Sequence, residues 1–131
     1  METKGTYMKD CGAYAVIFDA KKERVGAVLK YNGYVLPGGK IGQGESDIAC
    51  LKRTVGAELE VGSFLGKAAQ FTRQHTIDEG LFYLGKIEQP SEGSQKLEWL
   101  NLHEAAAKMS GGHHQWAVQE GINAVQASMW F

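Results

Sequence analysis

The feature that most constrains this chain is a glycine-studded stretch that leads from a short apolar run into an amphipathic one. Tyr34 to Leu36 is apolar and β-prone, Pro37 closes it, and Gly38, Gly39, Gly42 and Gly44 follow in the segment GGKIGQGESDIACLKRTVGAELEV, Gly38 to Val61. From Glu45 to Leu59 the pattern is helical, because Ile48, Leu51, Val55 and Leu59 recur at spacings of three and four and form one apolar stripe. Ser46 or Gly44 caps its start, and Glu45 and Asp47 stand where the positive end of the helix dipole favours carboxylates. Gly56 interrupts the stripe at a cost of about 1 kcal/mol relative to alanine. A strand, a glycine loop and a one-sided helix in direct succession require a sheet for that helix to cover.

The remaining chain supplies the sheet. Cys11 to Phe18 and Val25 to Leu29 read as strands of a hairpin joined by a charged loop. Phe64 to Thr72 and Leu81 to Ile87 read as two more, with Asp78-Glu79-Gly80 at their turn, and Lys96 to Leu100 as a last short one. Leu102 to Met109 and His113 to Met129 read as helices separated by Ser110-Gly111-Gly112. Trp99 and Trp116 are expected in the core, His113 and His114 at a helix cap or on the surface. The expected architecture is an α/β sandwich, a mixed central β-sheet with helices on both faces. At 131 residues the chain holds one domain, 1–131, with about 1–10 as an N-terminal extension.

Composition narrows the partners. Fourteen basic and 15 acidic residues leave a net charge of -1, without the basic excess that a duplex nucleic-acid binder needs. Cys11 and Cys50 form no metal-spaced pair and read as buried or half-buried thiols of a reducing compartment. Neither a signal-type apolar leader nor a membrane-spanning run is present, so the chain reads as cytoplasmic, with no membrane partner.

The segment after the third strand resembles the Nudix box, G-x5-E-x7-R-E-U-x-E-E-x-G-U with U aliphatic, the signature of the MutT-like Nudix hydrolases. Gly39, Glu45, Arg53, Val55, Glu58 and Val61 fall on its fixed positions. Thr54, Ala57 and Glu60 depart from it, where the motif has a glutamate, a glutamate and its closing glycine. Glu98-Trp99-Leu100 and the helix after it are similar to the downstream part of such domains, so the resemblance runs through nearly the whole chain.

The resemblance implies a Nudix-type α/β/α sandwich. It also implies metal-dependent hydrolysis of a pyrophosphate bond in nucleoside diphosphate-linked small molecules. Mg²⁺ or Mn²⁺ would bridge phosphate oxygens and activate water, held by box glutamates and a loop carbonyl. Carried over residue by residue, the ligands would be Glu58 and the Gly38 backbone carbonyl, with Thr54 and Ala57 at the two positions that lack a carboxylate, so weak metal affinity is expected. Restoring Thr54→Glu and Ala57→Glu is expected to raise it. Arg53 and Glu45 would orient the loop against the helix, and Glu60 would pair with Arg53. Asp47 shares the expected helix face with Thr54 and Glu58, although ~10 Å of helix rise separates it from Thr54, too far for one shared ion. Glu92, in the loop before the Glu98-Trp99 strand, is the candidate general base or extra ligand, and Glu79 is a second candidate. Arg73 and His75 are candidates for substrate contact.

Three readings follow: a hydrolase with a depleted metal site, a catalytically inactive nucleotide-binding module, and an interaction domain. A small nucleotide-like partner fits the first two, and the resemblance is compatible with a homodimer.

Overall fold

A computed structural model describes residues 8–72, 75–87 and 96–128. Strands β1 (Met8–Ile17), β2 (Arg24–Lys30), β3 (Gly33–Val35) and β4 (Gly38–Lys40) precede helix α1 (Asp47–Thr54). Strands β5 (Glu60–Phe71), β6 (Thr76–Lys86) and β7 (Glu98–Asn101) then lead into α2 (Leu102–Lys108) and α3 (Gly112–Ser128). One sheet has the order β4-β1-β6-β5 and a second the order β3-β2-β7. β1 and β6 are parallel, in register from Met8↔Thr76 to Ile17↔Gly85. The other strand-to-strand pairings are antiparallel, so the architecture is the expected mixed one.

β1 explains why its sequence is apolar at nearly every position. Side chains alternate across a strand, so a strand covered on both faces reads as a continuous apolar run. Ala13, Ala15 and Ile17 face one layer with Cys50, Leu51, Val55 and Leu59 from the α1 region. Val16 and Phe18 face the other, with Phe82, Leu84, Val118, Ile122 and Val125, which places α3 on the opposite side of the sheet.

Several expectations are corrected. β1 and β2 do not form a hairpin: they meet only at an isolated Phe18↔Val25 bridge, and β2 pairs with β3 and β7 instead. Asp78, Glu79 and Gly80 are not a turn but lie inside β6, opposite Gln70, Ala69 and Ala68 of β5. Glu79 is tolerated there because Lys9 and Lys67 reach it at 3.3 and 3.8 Å. Gly38–Lys40 is not loop but strand, paired with Gly12–Tyr14. Ile48 is exposed, and Trp99 and Trp116 are each 37% exposed rather than buried, although the Trp116 ring still lies between α3 and the sheet, over Gly66 and edge-on to Phe82. His114, by contrast, is 3% exposed, and its burial removes it from the surface where it was expected.

The largest correction concerns α1, which ends at Thr54 rather than near Leu59. Gly56 has φ +149°, a backbone conformation that side-chain-bearing residues avoid, and the chain leaves the helix there. The helix is therefore about one turn shorter than the stripe suggests. Val55 and Leu59 stay buried through the turn that follows, not through helical spacing.

Candidate ligand cleft and the glycine loop

The glycine loop is organised by one ion pair. Arg53 Nε and Nη2 donate to Glu45 Oε2 and Oε1 at 2.7 and 2.8 Å, a two-pronged arrangement that fixes both side chains. The Gly42 N–H donates to Glu45 Oε1 at 2.8 Å, and Arg53 Nη2 also reaches the Lys40 carbonyl at 3.0 Å. The Arg53 bond, then the Gly42 bond, hold the Glu45 carboxyl down at about 2. Ser46 caps α1 by accepting the Ala49 N–H at 3.1 Å, and Asp47 accepts the hydroxyl of Tyr83. Burial and that bond push the Tyr83 phenol up to about 12. Cys50, buried under the loop, donates its thiol to the Gly39 carbonyl at 3.3 Å.

The metal-binding positions of the box do not form a face. The Thr54 hydroxyl donates to the Cys50 carbonyl one turn back at 2.8 Å, so it is satisfied within the helix. Ala57 and Glu58 lie beyond Gly56, exposed, in the turn before β5. Glu60 opens β5 and does not pair with Arg53, whose carboxylate partner is Glu45; the expected surface pair is thereby corrected. Asp47 and Glu58 likewise share no helix face, because Glu58 is not on the helix. Among the described residues no three His, Cys, Asp or Glu side chains converge as metal ligands do. A divalent ion in this fold needs several oxygen ligands, and one exposed glutamate plus a loop carbonyl does not fit it. Glu92 and Arg73 lie outside the described residues. His75 is exposed just before β6 at φ +60°, and its N–H donates to the Thr72 carbonyl at 3.3 Å.

On the α3 side of the sheet a cleft of about 700 Å³ opens above the start of β1. Tyr14 and His114 form its base, Tyr31 and Phe71 its rim, and Gln70 and Asp78 face it from β5 and β6. Lys40 pairs with Asp10 at 3.1 Å at its mouth. Glu79, next to Asp78 in β6, lies along the same edge but turns its carboxylate to the other face of the sheet, to Lys9 and Lys67. Asp78 has no ion-pair partner among the described residues. Burial, then His113, pulls the His114 imidazole down to about 3, so it is neutral. Burial lowers His113 as well, against the opposing pull of Asp78. Burial, then Asp78, raises the Tyr14 phenol.

Of the residues singled out in the sequence, Gly38, Gly39, Glu45 and Arg53 are gathered around the loop, while Glu58 and Val61 lie past the end of α1. Tyr14, Gln70, Asp78 and His114 were missed. Tyr14 had a legible signal: it alternates with Ala13 and Ala15 and so must face the other side of β1.

No family model matches the chain, and no curated protein matches it in sequence. Solved structures do match. A NUDIX hydrolase from Nitrosomonas europaea superposes with a TM-score of 0.74 at 13% identity, over 88% of this chain and 90% of that one. The E. coli dihydroneopterin triphosphate pyrophosphohydrolase gives 0.71 at 14% identity, over 91% and 99%. A C. elegans Ap4A hydrolase gives 0.68 at 13% identity, over 92% and 99%. At these identities the likeness is one of architecture: the chain has the fold of the Nudix hydrolases.

Proposed function

We propose that this chain binds a small nucleotide-like molecule in the Tyr14 cleft and has lost most or all of the metal-dependent pyrophosphate hydrolysis that its resemblance to the Nudix box implies. The supporting observation is the early end of α1. With Thr54 bonded to its own helix and Glu58 beyond Gly56, the segment offers no cluster of carboxylates to hold divalent ions. The cleft itself remains open beside the loop, at about 700 Å³. Its aromatic base and rim suit a flat heterocycle, and Gln70 and Asp78 can accept and donate along the edge of a base. Among its described lining residues, Lys40 is the one Lys or Arg for an attached phosphate. Magnesium that arrives already bound to a polyphosphate needs little from the protein, so a ligand carrying its own ion is compatible with this site.

The test is a panel of nucleoside triphosphates, dinucleoside polyphosphates and nucleotide sugars with Mg²⁺ or Mn²⁺, read for both thermal stabilisation and product release. Stabilisation by one ligand class without turnover is the expected result, and it diminishes in Asp78→Asn and Gln70→Ala. Turnover that disappears in Glu58→Gln or Glu92→Gln would establish a working hydrolase with a rebuilt metal site. No stabilisation by any ligand would leave an interaction domain as the better reading.

A further inference from the structure

A second cleft, of about 740 Å³, opens at the other end of β1, between the β1–β2 turn, the end of β6 and β7. Phe18, Asp19, Lys22, Arg24, Lys86 and Trp99 line it. Asp10 of the first cleft and Phe18 of the second are separated by ~26 Å of extended chain, too far for one small ligand to touch both.

Its charge is unlike that of the whole chain. Among its described lining residues three cations face a single carboxylate, in a protein of net charge -1. None of the ion pairs among the described residues involves Lys22, Arg24 or Lys86. Glu60 stands across from Lys86 in the β5–β6 register and makes no ion pair with it. The carboxylate, Asp19, is already engaged: its Oδ1 accepts the N–H groups of Glu23 and Arg24 at 2.8 and 3.1 Å. Those bonds shape the turn that presents Lys22 and Arg24. Lys22 sits at φ +59°, where glycine or asparagine is the unstrained choice, so a cation is kept at a backbone position that disfavours it.

The cleft also has a flat apolar wall. Trp99 lies opposite Gly26 in the β2–β7 register, and a Cβ placed on Gly26 would stand 3.5 Å from an indole carbon. The ring therefore rests on bare backbone, yet remains 37% exposed. Arg24 leaves β2 on the same face as Gly26, because side chains two apart share a face.

We infer that this cleft is a second binding site, which takes a phosphorylated small molecule with a flat ring, of the nucleoside monophosphate type, and holds it without a metal ion. Trp99 is the stacking surface, and Lys22, Arg24 and Lys86 take the phosphate. The cations are gathered in one cleft and not strung along a groove, which favours a single phosphate group over a polymer strand.

The experiment is a titration with adenosine 5′-monophosphate, free of divalent ions, following tryptophan fluorescence, with adenosine, inorganic phosphate and a short oligoadenylate in parallel. Saturable quenching by the monophosphate is expected, lost in Trp99→Phe and weakened about tenfold in Arg24→Gln/Lys86→Gln, whose side chains are exposed and leave folding intact. Lys40→Gln, in the first cleft, leaves this signal unchanged, so a failure here is distinct from a failure of the first site. Adenosine and inorganic phosphate bind more weakly than the monophosphate. The proposal is overturned if the monophosphate does not quench, if Arg24→Gln/Lys86→Gln binds it as well as the parent, or if inorganic phosphate binds equally tightly. Much tighter binding of the oligoadenylate would instead make the surface a single-strand nucleic-acid site.

Discussion

The backbone N–H of Leu36 donates to Nδ1 of His114 at 3.0 Å, across 78 residues of chain. This bond ties the end of β3, just ahead of the glycine loop, to the first turn of α3. It also fixes the tautomer: Nδ1 accepts, so the imidazole proton is on Nε2. The ring lies edge-on to Tyr14 at 4.5 Å and to Phe82 at 5.4 Å, so the same residue forms the floor of the cleft and closes the core beneath it.

That arrangement makes stability depend on pH. The His114 pKa in the folded protein, about 3, lies below the ordinary value of ~6.5, so between these values the unfolded chain binds more protons. The His114 contribution is complete above pH ~6.5 and declines as pH falls toward about 3, by up to ~1.4 kcal/mol per pH unit. His113, lowered in the same direction, adds to the slope. Urea midpoints at pH 7.5 and pH 5 measure it. His114→Asn retains an acceptor for Leu36 and should flatten the dependence, whereas His114→Ala leaves that buried N–H unpaired and costs ~2–3 kcal/mol at pH 7.5. An unchanged slope in His114→Asn would assign the effect to other groups.

Restoring the box by substitution should fail. Thr54→Glu/Ala57→Glu puts one carboxylate on the last helical residue and one past Gly56, where the backbone at φ +149° has turned away. Mn²⁺ binding followed by calorimetry should therefore stay close to that of the parent. Four helix-forming residues carrying two glutamates, inserted between Val55 and Gly56, add roughly one turn and bring the new acids onto one face. That variant should bind Mn²⁺ at least ~10-fold more tightly than the parent. Equal affinities in the substituted and inserted chains would show that helix length is not what limits the site.

The box registers through Val61 in the sequence because Gly39, Glu45 and Arg53 are correctly spaced, and these are the residues that build the loop. What failed was the C-terminal half, where Val55, Leu59 and Val61 continue an apolar rhythm that does not need a helix. Leu59 reaches the core from a turn, and Gly56 carried the actual boundary signal. The sandwich was legible from alternation and helical spacing alone. The division into two sheets was not, because it depends on which of two adjacent apolar strands β2 pairs with, and local sequence does not specify non-local pairing. The cleft was legible only in part. Its residues come from strands and turns distant in sequence, and Asp78-Glu79-Gly80 mimics a turn although it is strand, the Glu79 charge being compensated by Lys9 and Lys67 from other strands.

The Glu45–Arg53 pair should lose its contribution only at a lower pH than an isolated glutamate would. The Glu45 pKa in the folded protein, about 2, lies below the ordinary ~4.3, so its contribution is present above pH ~4.3 and is lost as pH falls toward about 2. Both side chains are reached by solvent, so the effect on global stability is small and the local effect is the one to measure. Amide exchange at Gly42, whose N–H is held by Glu45, should accelerate in Glu45→Gln and in Arg53→Met at pH 7. Arg53→Lys should not rescue it, because a single ammonium cannot make both bonds. Protection at Gly42 that survives Arg53→Met would mean that the loop is held by something other than this pair.

Gly38 separates a conformational requirement from a metal-binding one. Its φ is +143°, and a Cβ there would lie 2.1 Å from the Ala13 carbonyl oxygen and 2.8 Å from the Tyr14 Cα. Strand β4 approaches β1 so closely at this point that no side chain fits, and Gly38→Ala should cost ~3 kcal/mol or more. At Gly39, with no unusual φ, the added methyl would meet the Thr54 methyl at 3.1 Å, so that side chain must give by a few tenths of an ångström, and Gly39→Ala should cost about 1 kcal/mol. If Gly38 matters only as packed backbone, its substitution lowers the urea midpoint by the same amount with excess EDTA as with Mn²⁺. A loss that appears only when Mn²⁺ is present would show that the Gly38 carbonyl holds an ion after all, and would reopen the case for a metal-dependent reaction at this loop.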